Sequence, residues 1–157
     1  GICLGMQCMV IEFARNVLGM ADANSTEMDT KTTHPVIDLM DEQKSISNLG
    51  GTMRLGAYDC VFRPGSLAAR AYGSEQVRER HRHRFEFNSD YRNAFEQAGM
   101  ECVGLNPDTG LVEVVEMPSK RWFLGTQYHP EYSSTVLSPN PIFKSFIQAA
   151  INYRNEK

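Results

Sequence analysis

A cysteine between two glycines stands directly before the strongest helical pattern in the chain. The segment is Gly1-Ile2-Cys3-Leu4-Gly5, after which apolar side chains recur at helical spacing and predict a helix over residues 5–18. Flanking glycines let the backbone turn sharply from strand to helix, with the cysteine at the apex. Such a nucleophile elbow requires a strand that ends and a helix that begins near Cys3, which favours an α/β fold.

The position of Cys3 suits a nucleophilic thiol. The free N–H groups and the dipole at a helix N-terminus favour thiolate over thiol. The backbone N–H of Leu4 lies where it would donate to an oxyanion. The alternative is an unreactive core cysteine, the role we expect for Cys8, Cys60 and Cys102.

The sequence His129-Pro130-Glu131 supplies the partners that a nucleophilic thiol needs. The thiol requires a base that also protonates the leaving group, and the base requires a group that orients it. Proline favours extended geometry in the residue before it, and residues i and i+2 of an extended chain project to the same side. We therefore expect the Glu131 carboxylate beside the His129 imidazole. The alternative is an ordinary surface pair at the end of a strand.

Composition argues against several other classes of function. The 157 residues are 41% apolar with a net charge of −3, which fits one globular domain and gives no global preference for nucleic acid or acidic membranes. No apolar run approaches the roughly 20 residues that span a bilayer. The first residues lack the features of a signal peptide. The four cysteines form no CxxC pair, which predicts a reducing, cytoplasmic location and no zinc site.

The remaining patterns predict a mixture of strands and helices, the α/β class. Strands are predicted at 35–40, as two short strands within 50–65, at 78–88, as a hairpin over 100–117, and at 121–130. Helices are predicted at 89–99 and from about Pro141 onward, with at most a helical turn at 66–73. Residues 20–34 are predicted to form a loop and residues 41–48 a charged surface segment.

The basic run RERHRHR at 78–84 has three interpretations. Nucleic-acid binding is disfavoured, because no aromatic residue interleaves with the arginines and the chain is acidic overall. A metal site built from His81, His83 and His129 is disfavoured, because His129 is better used as a base. We expect the solvated face of a strand.

The two halves of this site resemble the signature of one family. The stretches GICLGMQ and QYHPEY are similar to the G-x-C-x-G-x-Q elbow and later H-P-E of the class I, or triad, glutamine amidotransferases. Residues 23–27, 48–60 and 79–88 closely resemble the glutaminase domains of the CTP synthase family. The resemblance covers the whole chain. It implies a flavodoxin-like domain with a central, mostly parallel sheet plus antiparallel strands, of which this chain is the C-terminal portion.

The resemblance also implies residue roles. Cys3, His129 and Glu131 would form a catalytic triad that hydrolyses L-glutamine, with the Leu4 N–H as an oxyanion donor. Arg84 would hold the α-carboxylate of glutamine, and Glu27 with Gln7 its α-ammonium group. The full set of residues implied to bind glutamine is Leu4, Gly5, Met6, Gln7, Glu27 and Arg84.

In the family, ammonia passes to an N-terminal synthetase domain of the same polypeptide, in an enzyme expected to be a homotetramer. ATP, UTP and Mg²⁺ belong to that absent domain, GTP activates the complete enzyme, and no cofactor or metal is implied for this chain. Alternatives are another class I amidotransferase, a stand-alone γ-glutamyl hydrolase, or a non-catalytic homologue that serves as an interaction module.

The resemblance also implies that strands and a Gly-rich oxyanion loop, which lie upstream of the elbow in the family, are missing from this chain. Without a sheet partner, the first helix would expose its apolar face. The residues expected to be exposed are Met6, Met9, Val10 and Phe13.

Overall fold

A computed structural model describes residues 1–39 and 53–156, which form an α/β fold. The α-helices are α1 (Leu4–Asn16), α2 (Leu67–Tyr72), α3 (Arg92–Gln97) and α4 (Pro141–Asn155). The strands are β1 (Asn24–Ser25), β2 (Pro35–Asp38), β3 (Arg54–Phe62), β4 (Gln76–His83), β5 (Glu86–Phe87), β6 (Glu101–Leu105), β7 (Val112–Glu116) and β8 (Leu124–Thr126). Short 3-10 helices span Ser89–Tyr91 and Pro130–Ser133. The surface segment predicted at 41–48 lies outside the described residues.

The strands form two sheets, which confirms the α/β class. The larger sheet has the order β4-β3-β6-β7-β8, and its described pairings are antiparallel. The smaller sheet has the order β1-β2-β5, with β1 and β2 parallel. A parallel bridge between Ile2 and Thr126 also extends the larger sheet at β8. Parallel and antiparallel pairings thus occur together among the described residues, as the resemblance implies.

Two strand predictions had different outcomes. The hairpin over 100–117 is confirmed, and Asn106 closes its turn by accepting hydrogen bonds from the Asp108 and Thr109 N–H groups at 3.1 and 2.9 Å. The prediction of two short strands within 50–65 is wrong. Over its described part this segment is one strand, β3, because β4 pairs with it continuously from Arg54 to Val61.

Helix α1 packs against the smaller sheet and the end of β8. Met6 and Val10 are fully buried and Phe13 is 2% exposed, so the expected exposure of this face is wrong for these three residues. Met9 is half-buried. The physical reason is that β1, β2, β5 and α3 cover the helix, and the Phe13 ring stacks on the Phe95 ring at 5.4 Å. The apolar face of α1 is therefore satisfied within this chain.

The C-terminal helix α4 begins at Pro141, as predicted. The Asn140 side chain caps it by accepting a hydrogen bond from the Ile142 N–H at 3.0 Å. Ile142 is buried, whereas Phe146 and Ile147 are 50% and 55% exposed. Within the described residues, no helix is both long and apolar enough to cross a membrane.

Candidate active site

The backbone at Cys3 makes the sharp turn that the two glycines predict. Cys3 has φ 51° and ψ −111°, and it is the only non-glycine residue with a positive φ among those described. Such a conformation costs on the order of 1–3 kcal/mol and persists only where the surroundings enforce it. The Cys3 N–H donates to the Thr126 carbonyl at 2.7 Å, and the Thr126 N–H donates to the Gly1 carbonyl at 2.9 Å. Strand β8 therefore holds the elbow.

Only one of the two flanking glycines is required by close packing. A Cβ atom added at Gly1 would lie 2.6 Å from the backbone carbonyl of Gly5, whereas one added at Gly5 would meet nothing within 4 Å. Gly1 thus lets the strand end pass close to the first turn of α1. Ile2, the next residue, forms a parallel bridge with Thr126.

A cleft of about 230 Å³ opens beside the Cys3 thiol. It brings together Cys3 and four of the residues expected to bind substrate: Leu4, Gln7, Glu27 and Arg84. Gly5 and Met6 do not line it, and the Met6 side chain is fully buried in the core. Met53, Arg82, His83 and Phe85 complete the wall, and none of these four was predicted to bind the substrate.

The electrostatic surroundings of Cys3 differ from the expectation of a stabilised thiolate. Burial raises the pKa of the Cys3 thiol, and nearby carboxylates, chiefly Glu131, raise it further. The Leu4 N–H at the start of α1 lowers the pKa of the thiol, as the helix-terminus argument requires, but burial outweighs it. The resting group is therefore a thiol at neutral pH, and the nucleophilic role expected of it would require a base.

The structure places His129, the residue expected to be that base, beside its expected partner Glu131. The His129 Nδ1 atom lies 2.6 Å from Glu131 Oε1. The predicted extended geometry is wrong, because the chain turns into the 3-10 helix Pro130–Ser133 directly after His129. This turn, rather than a strand, brings the carboxylate back to the imidazole. His129 Nε2 is buried and has no hydrogen-bond partner in the described part of the chain, so it is the ring atom available to exchange a proton.

A buried carboxylate, which sequence reasoning missed, holds the segment that follows His129. Glu79 on β4 is 4% exposed. Its Oε2 atom accepts a hydrogen bond from Ser133 Oγ at 2.8 Å, and its Oε1 atom accepts from Asn140 Nδ2 and Tyr72 Oη, each at 2.8 Å. The His129 N–H also donates to the Arg80 carbonyl at 2.8 Å. The sequence feature that could have indicated a buried Glu79 is the strict alternation of arginines with other residues along β4.

Strand β4 is only half solvated. Its arginines Arg78, Arg80 and Arg82 are exposed, as expected of a solvated face, but the alternate residues Glu79, His81 and His83 are buried. Alternation with a period of two puts one set in the core. Among residues 1–39 and 53–156, no group of three or more His, Cys, Asp or Glu side chains is arranged to hold a metal ion.

The buried histidines belong to an ionic cluster behind the cleft. Arg54 bridges Glu86 at 3.1 Å and Glu113 at 2.9 Å, and His83 Nε2 lies 2.7 Å from Glu86. Burial, with the positive charge of Arg54, lowers the pKa of His81 to about 2. Burial raises the pKa of Glu113 to about 7, against the opposing effect of Arg54. The cluster therefore keeps His81 neutral.

Comparison with known proteins identifies the family. The family model described as glutamine amidotransferase class-I matches residues 1–149. The chain belongs to the class I glutamine amidotransferases. Within them, it is 68% identical over 156 residues to CTP synthase of Porphyromonas gingivalis, covering 99% of this chain and 29% of that protein. It is 66% identical over 157 residues to CTP synthase of Bacteroides thetaiotaomicron, covering all of this chain and 29% of that protein.

A solved amidotransferase structure is also similar along most of this chain. The glutaminase domain of Trypanosoma brucei CTPS with bound acivicin superposes with a TM-score of 0.89 at 42% sequence identity. The match covers 97% of this chain and 59% of that chain. The amidotransferase chain described here thus spans about three-tenths of the length of the curated relatives that it matches.

Proposed function

We propose that the chain is the glutaminase part of a CTP synthase, which hydrolyses L-glutamine and supplies ammonia for the ATP-dependent amination of UTP to CTP. The observation that carries this proposal is the cleft whose wall includes a thiol-bearing residue, Cys3, together with a guanidinium residue, Arg84, and a carboxylate residue, Glu27. An amino acid with a reactive side chain presents complementary groups: a carboxylate, an ammonium group and an electrophilic carbon. The similarity to CTP synthases supports the choice of glutamine.

Arg84 is the group we assign to the α-carboxylate of glutamine. Its Nε atom is buried and has no hydrogen-bond partner among the described residues, although the side chain lines the cleft. A buried, unpaired donor is costly, and a carboxylate would satisfy it with a charge-assisted bond.

Glu27 and Gln7 are the groups we assign to the α-ammonium of glutamine. The carboxylate of Glu27 supplies the opposite charge. The described hydrogen bonds of the Gln7 side chain use only its Nε2 atom, which leaves Oε1 to accept a bond from the substrate. We assign Leu4, Gly5 and Met6 backbone roles at the start of α1, since the Met6 side chain is buried in the core.

The reaction we propose proceeds through a thioester. His129 Nε2 takes the thiol proton while Sγ attacks the side-chain amide carbon of glutamine, and the Leu4 N–H donates to the developing oxyanion. The carbon–nitrogen bond then breaks, and His129 gives its proton to the departing ammonia. Water next attacks the thioester as His129 removes a proton from it, and glutamate leaves as that proton returns to the sulfur. Glu131 orients and stabilises the imidazolium throughout.

The remaining roles concern the complete enzyme. We propose that ammonia passes to an N-terminal synthetase domain of the same polypeptide, which uses ATP, UTP and Mg²⁺, and that GTP activates glutamine hydrolysis. We further propose a homotetramer in the cytoplasm, where free thiols such as the four cysteines of this chain persist.

The decisive experiment separates the two half-reactions in the complete polypeptide that contains this chain. Cys3→Ala is expected to abolish CTP formation from glutamine and to leave CTP formation from free ammonia intact. A glutamine-like electrophile is expected to label Cys3 alone. Cys8→Ala is the matched control, because Cys8 lies on the exposed side of the same helix. Glutamate release that survives Cys3→Ala would sink the proposal, as would loss of both activities in a folded variant.

A further inference from the structure

A buried amide contacts the sulfur of Cys3. Gln127 directly follows β8, and its side chain is fully buried. Its Nε2 atom donates to Cys3 Sγ at 3.7 Å, and its backbone N–H donates to the Glu113 carbonyl at 2.8 Å. In the part of the chain that the structure describes, no other side chain donates a hydrogen bond to this sulfur.

The orientation of this amide follows from a chain of hydrogen bonds that has only one consistent direction. The Phe85 carbonyl can only accept, so the NH₂ group of Gln7 must face it, at 2.8 Å. The second proton of that NH₂ group goes to Gln127 Oε1 at 3.2 Å. A reversed Gln127 would set its own NH₂ group against the NH₂ group of Gln7, two donors with no acceptor between them. The NH₂ group of Gln127 must therefore face Cys3.

The sulfur needs such a donor when it ionises. Burial and the carboxylates Glu131, Glu86 and Glu27 all disfavour a negative charge on Cys3, while the Leu4 N–H favours it. A hydrogen bond from a neutral amide strengthens when its acceptor becomes charged, especially in a dry site. The Gln127 amide is prealigned, so it needs no reorganisation when the thiolate forms.

We propose that Gln127 stabilises the thiolate of Cys3 and directs its sulfur into the cleft, and that Gln7 is a positioning residue that orients the Gln127 amide. This inference rests on the proposed role of Cys3 as nucleophile. It gives Gln7 a second task beside its assigned contact with substrate, and it assigns to Gln127 a role in the reaction itself.

The test measures ionisation of Cys3 without turnover. Alkylation of Cys3 by iodoacetamide is followed against pH by peptide mass spectrometry in the complete polypeptide, for the native protein, Gln127→Met, Gln127→Glu and Gln7→Met. Losing the amide donor in Gln127→Met is expected to raise the pKa of the Cys3 thiol by about one unit, with alkylation near neutral pH slowed about tenfold and the plateau at high pH unchanged.

The other variants sharpen the test. Gln127→Glu places a carboxylate against the sulfur and is expected to shift the midpoint further. Gln7→Met leaves Gln127 in place but frees its amide to turn, so a smaller shift is expected. Cys8 in the same protein is the internal control, because it is exposed and its alkylation profile is expected to stay the same.

The outcomes are distinct from those that test the proposed function. An unchanged Cys3 midpoint in Gln127→Glu and Gln7→Met, with native cooperative unfolding, would overturn the inference, whether or not Gln127→Met folds. A lower plateau with no shift in the midpoint would also overturn it, because it would indicate a merely structural role. Glutamate release by Cys3→Ala would overturn the proposed function and leave the alkylation midpoints unaffected.

Discussion

Cys3 and His129, the proposed nucleophile and the proposed base, are held in place by different means. Backbone hydrogen bonds between Gly1, Cys3 and Thr126 fix the elbow, so its position depends on a few residues and one strand. The segment that carries His129 depends on side chains from distant elements, with Glu79 at the centre of their hydrogen bonds. The thiol is therefore expected to stay in place when His129 is displaced, so that mutation separates the two parts.

The largest effect is expected from removing the base while keeping the elbow. His129→Ala is expected to lower kcat for glutamine hydrolysis by at least about 10²–10⁴-fold, the usual contribution of general acid–base catalysis. The backbone hydrogen bonds that hold the elbow do not involve His129. The variant is therefore expected to keep its cooperative unfolding. Glutamate release and thermal melting are the measurements. Activity within tenfold of the native protein would show that another group acts as the base.

A smaller effect on the same reaction is expected from the orienting carboxylate. Glu131→Gln keeps the shape of the side chain but removes the charge that faces His129 Nδ1 at 2.6 Å. The loss in kcat is expected to be roughly tenfold to a hundredfold less severe than for His129→Ala, since the orienter of a triad costs less than its base. Glu27→Gln is the control variant, because loss of a substrate-binding carboxylate is expected to raise KM rather than to lower kcat. Equal losses in kcat for Glu131→Gln and His129→Ala would contradict this order.

Removing hydrogen bonds around Glu79 tests directly whether the His129 segment and the Cys3 elbow are held independently. Glu79→Gln leaves at least one buried donor unpaired, which is expected to lower the free energy of unfolding by about 1–3 kcal/mol. The turn Pro130–Ser133 then loosens, so kcat is expected to fall while the rate of Cys3 alkylation stays native. Ser133→Ala removes the bonds of one hydroxyl, to Glu79, the Pro130 carbonyl and Asn140 Nδ2. It leaves Glu79 with its bonds from Tyr72 and Asn140, so it is the milder control.

Melting, kcat and alkylation are measured on both Glu79→Gln and Ser133→Ala. A loss of stability with unchanged kcat would mean that the base segment does not depend on Glu79. A parallel loss of Cys3 reactivity would mean that the two parts of the site are not separable.

The smallest expected effect comes from pH acting on the cluster behind the site. His81 has an ordinary pKa near 6.5 when unfolded and a pKa of about 2 when folded. Because folding depresses this pKa, the stability that neutral His81 provides is fully present above pH 6.5 and is lost as pH falls towards 2. The loss is about 1.4 kcal/mol per pH unit below 6.5. The free energy of unfolding of His81→Gln is therefore expected to be lower than that of the native protein at pH 7. This gap between the two proteins is expected to narrow by about 2 kcal/mol at pH 5.

Denaturant unfolding at pH 7, 6 and 5 measures this gap. Glu113 titrates in the opposite sense: its raised pKa means that stability is lost as pH rises through about 7. The measurement is therefore repeated in a Glu113→Gln background, which removes that contribution from both proteins. A gap that stays constant with pH in this background would contradict the prediction.

The sequence by itself determined the parts of the fold that depend on neighbouring residues. The helix after Cys3, the hairpin over 100–117 and the start of α4 at Pro141 follow from periodicity, turn residues and caps, which act within a few positions. The same local reasoning placed Cys3 on a strained turn and Glu131 near His129. It chose the wrong backbone for Glu131, because an extended chain and a 3-10 turn both satisfy the preferences around Pro130.

Only the tertiary structure decided what depends on contacts between distant segments. The tertiary structure buries one face of α1 and one face of β4. It also brings Glu79 into contact with Ser133, in the turn after His129, and Gln127 into contact with the Cys3 thiol. The net effect of burial and of the Leu4 N–H on the pKa of Cys3 also depends on the tertiary structure, because desolvation depends on everything that surrounds the sulfur. A polar residue in a sequence carries no mark of whether it will be solvated or buried with a partner, since its partner lies far along the chain.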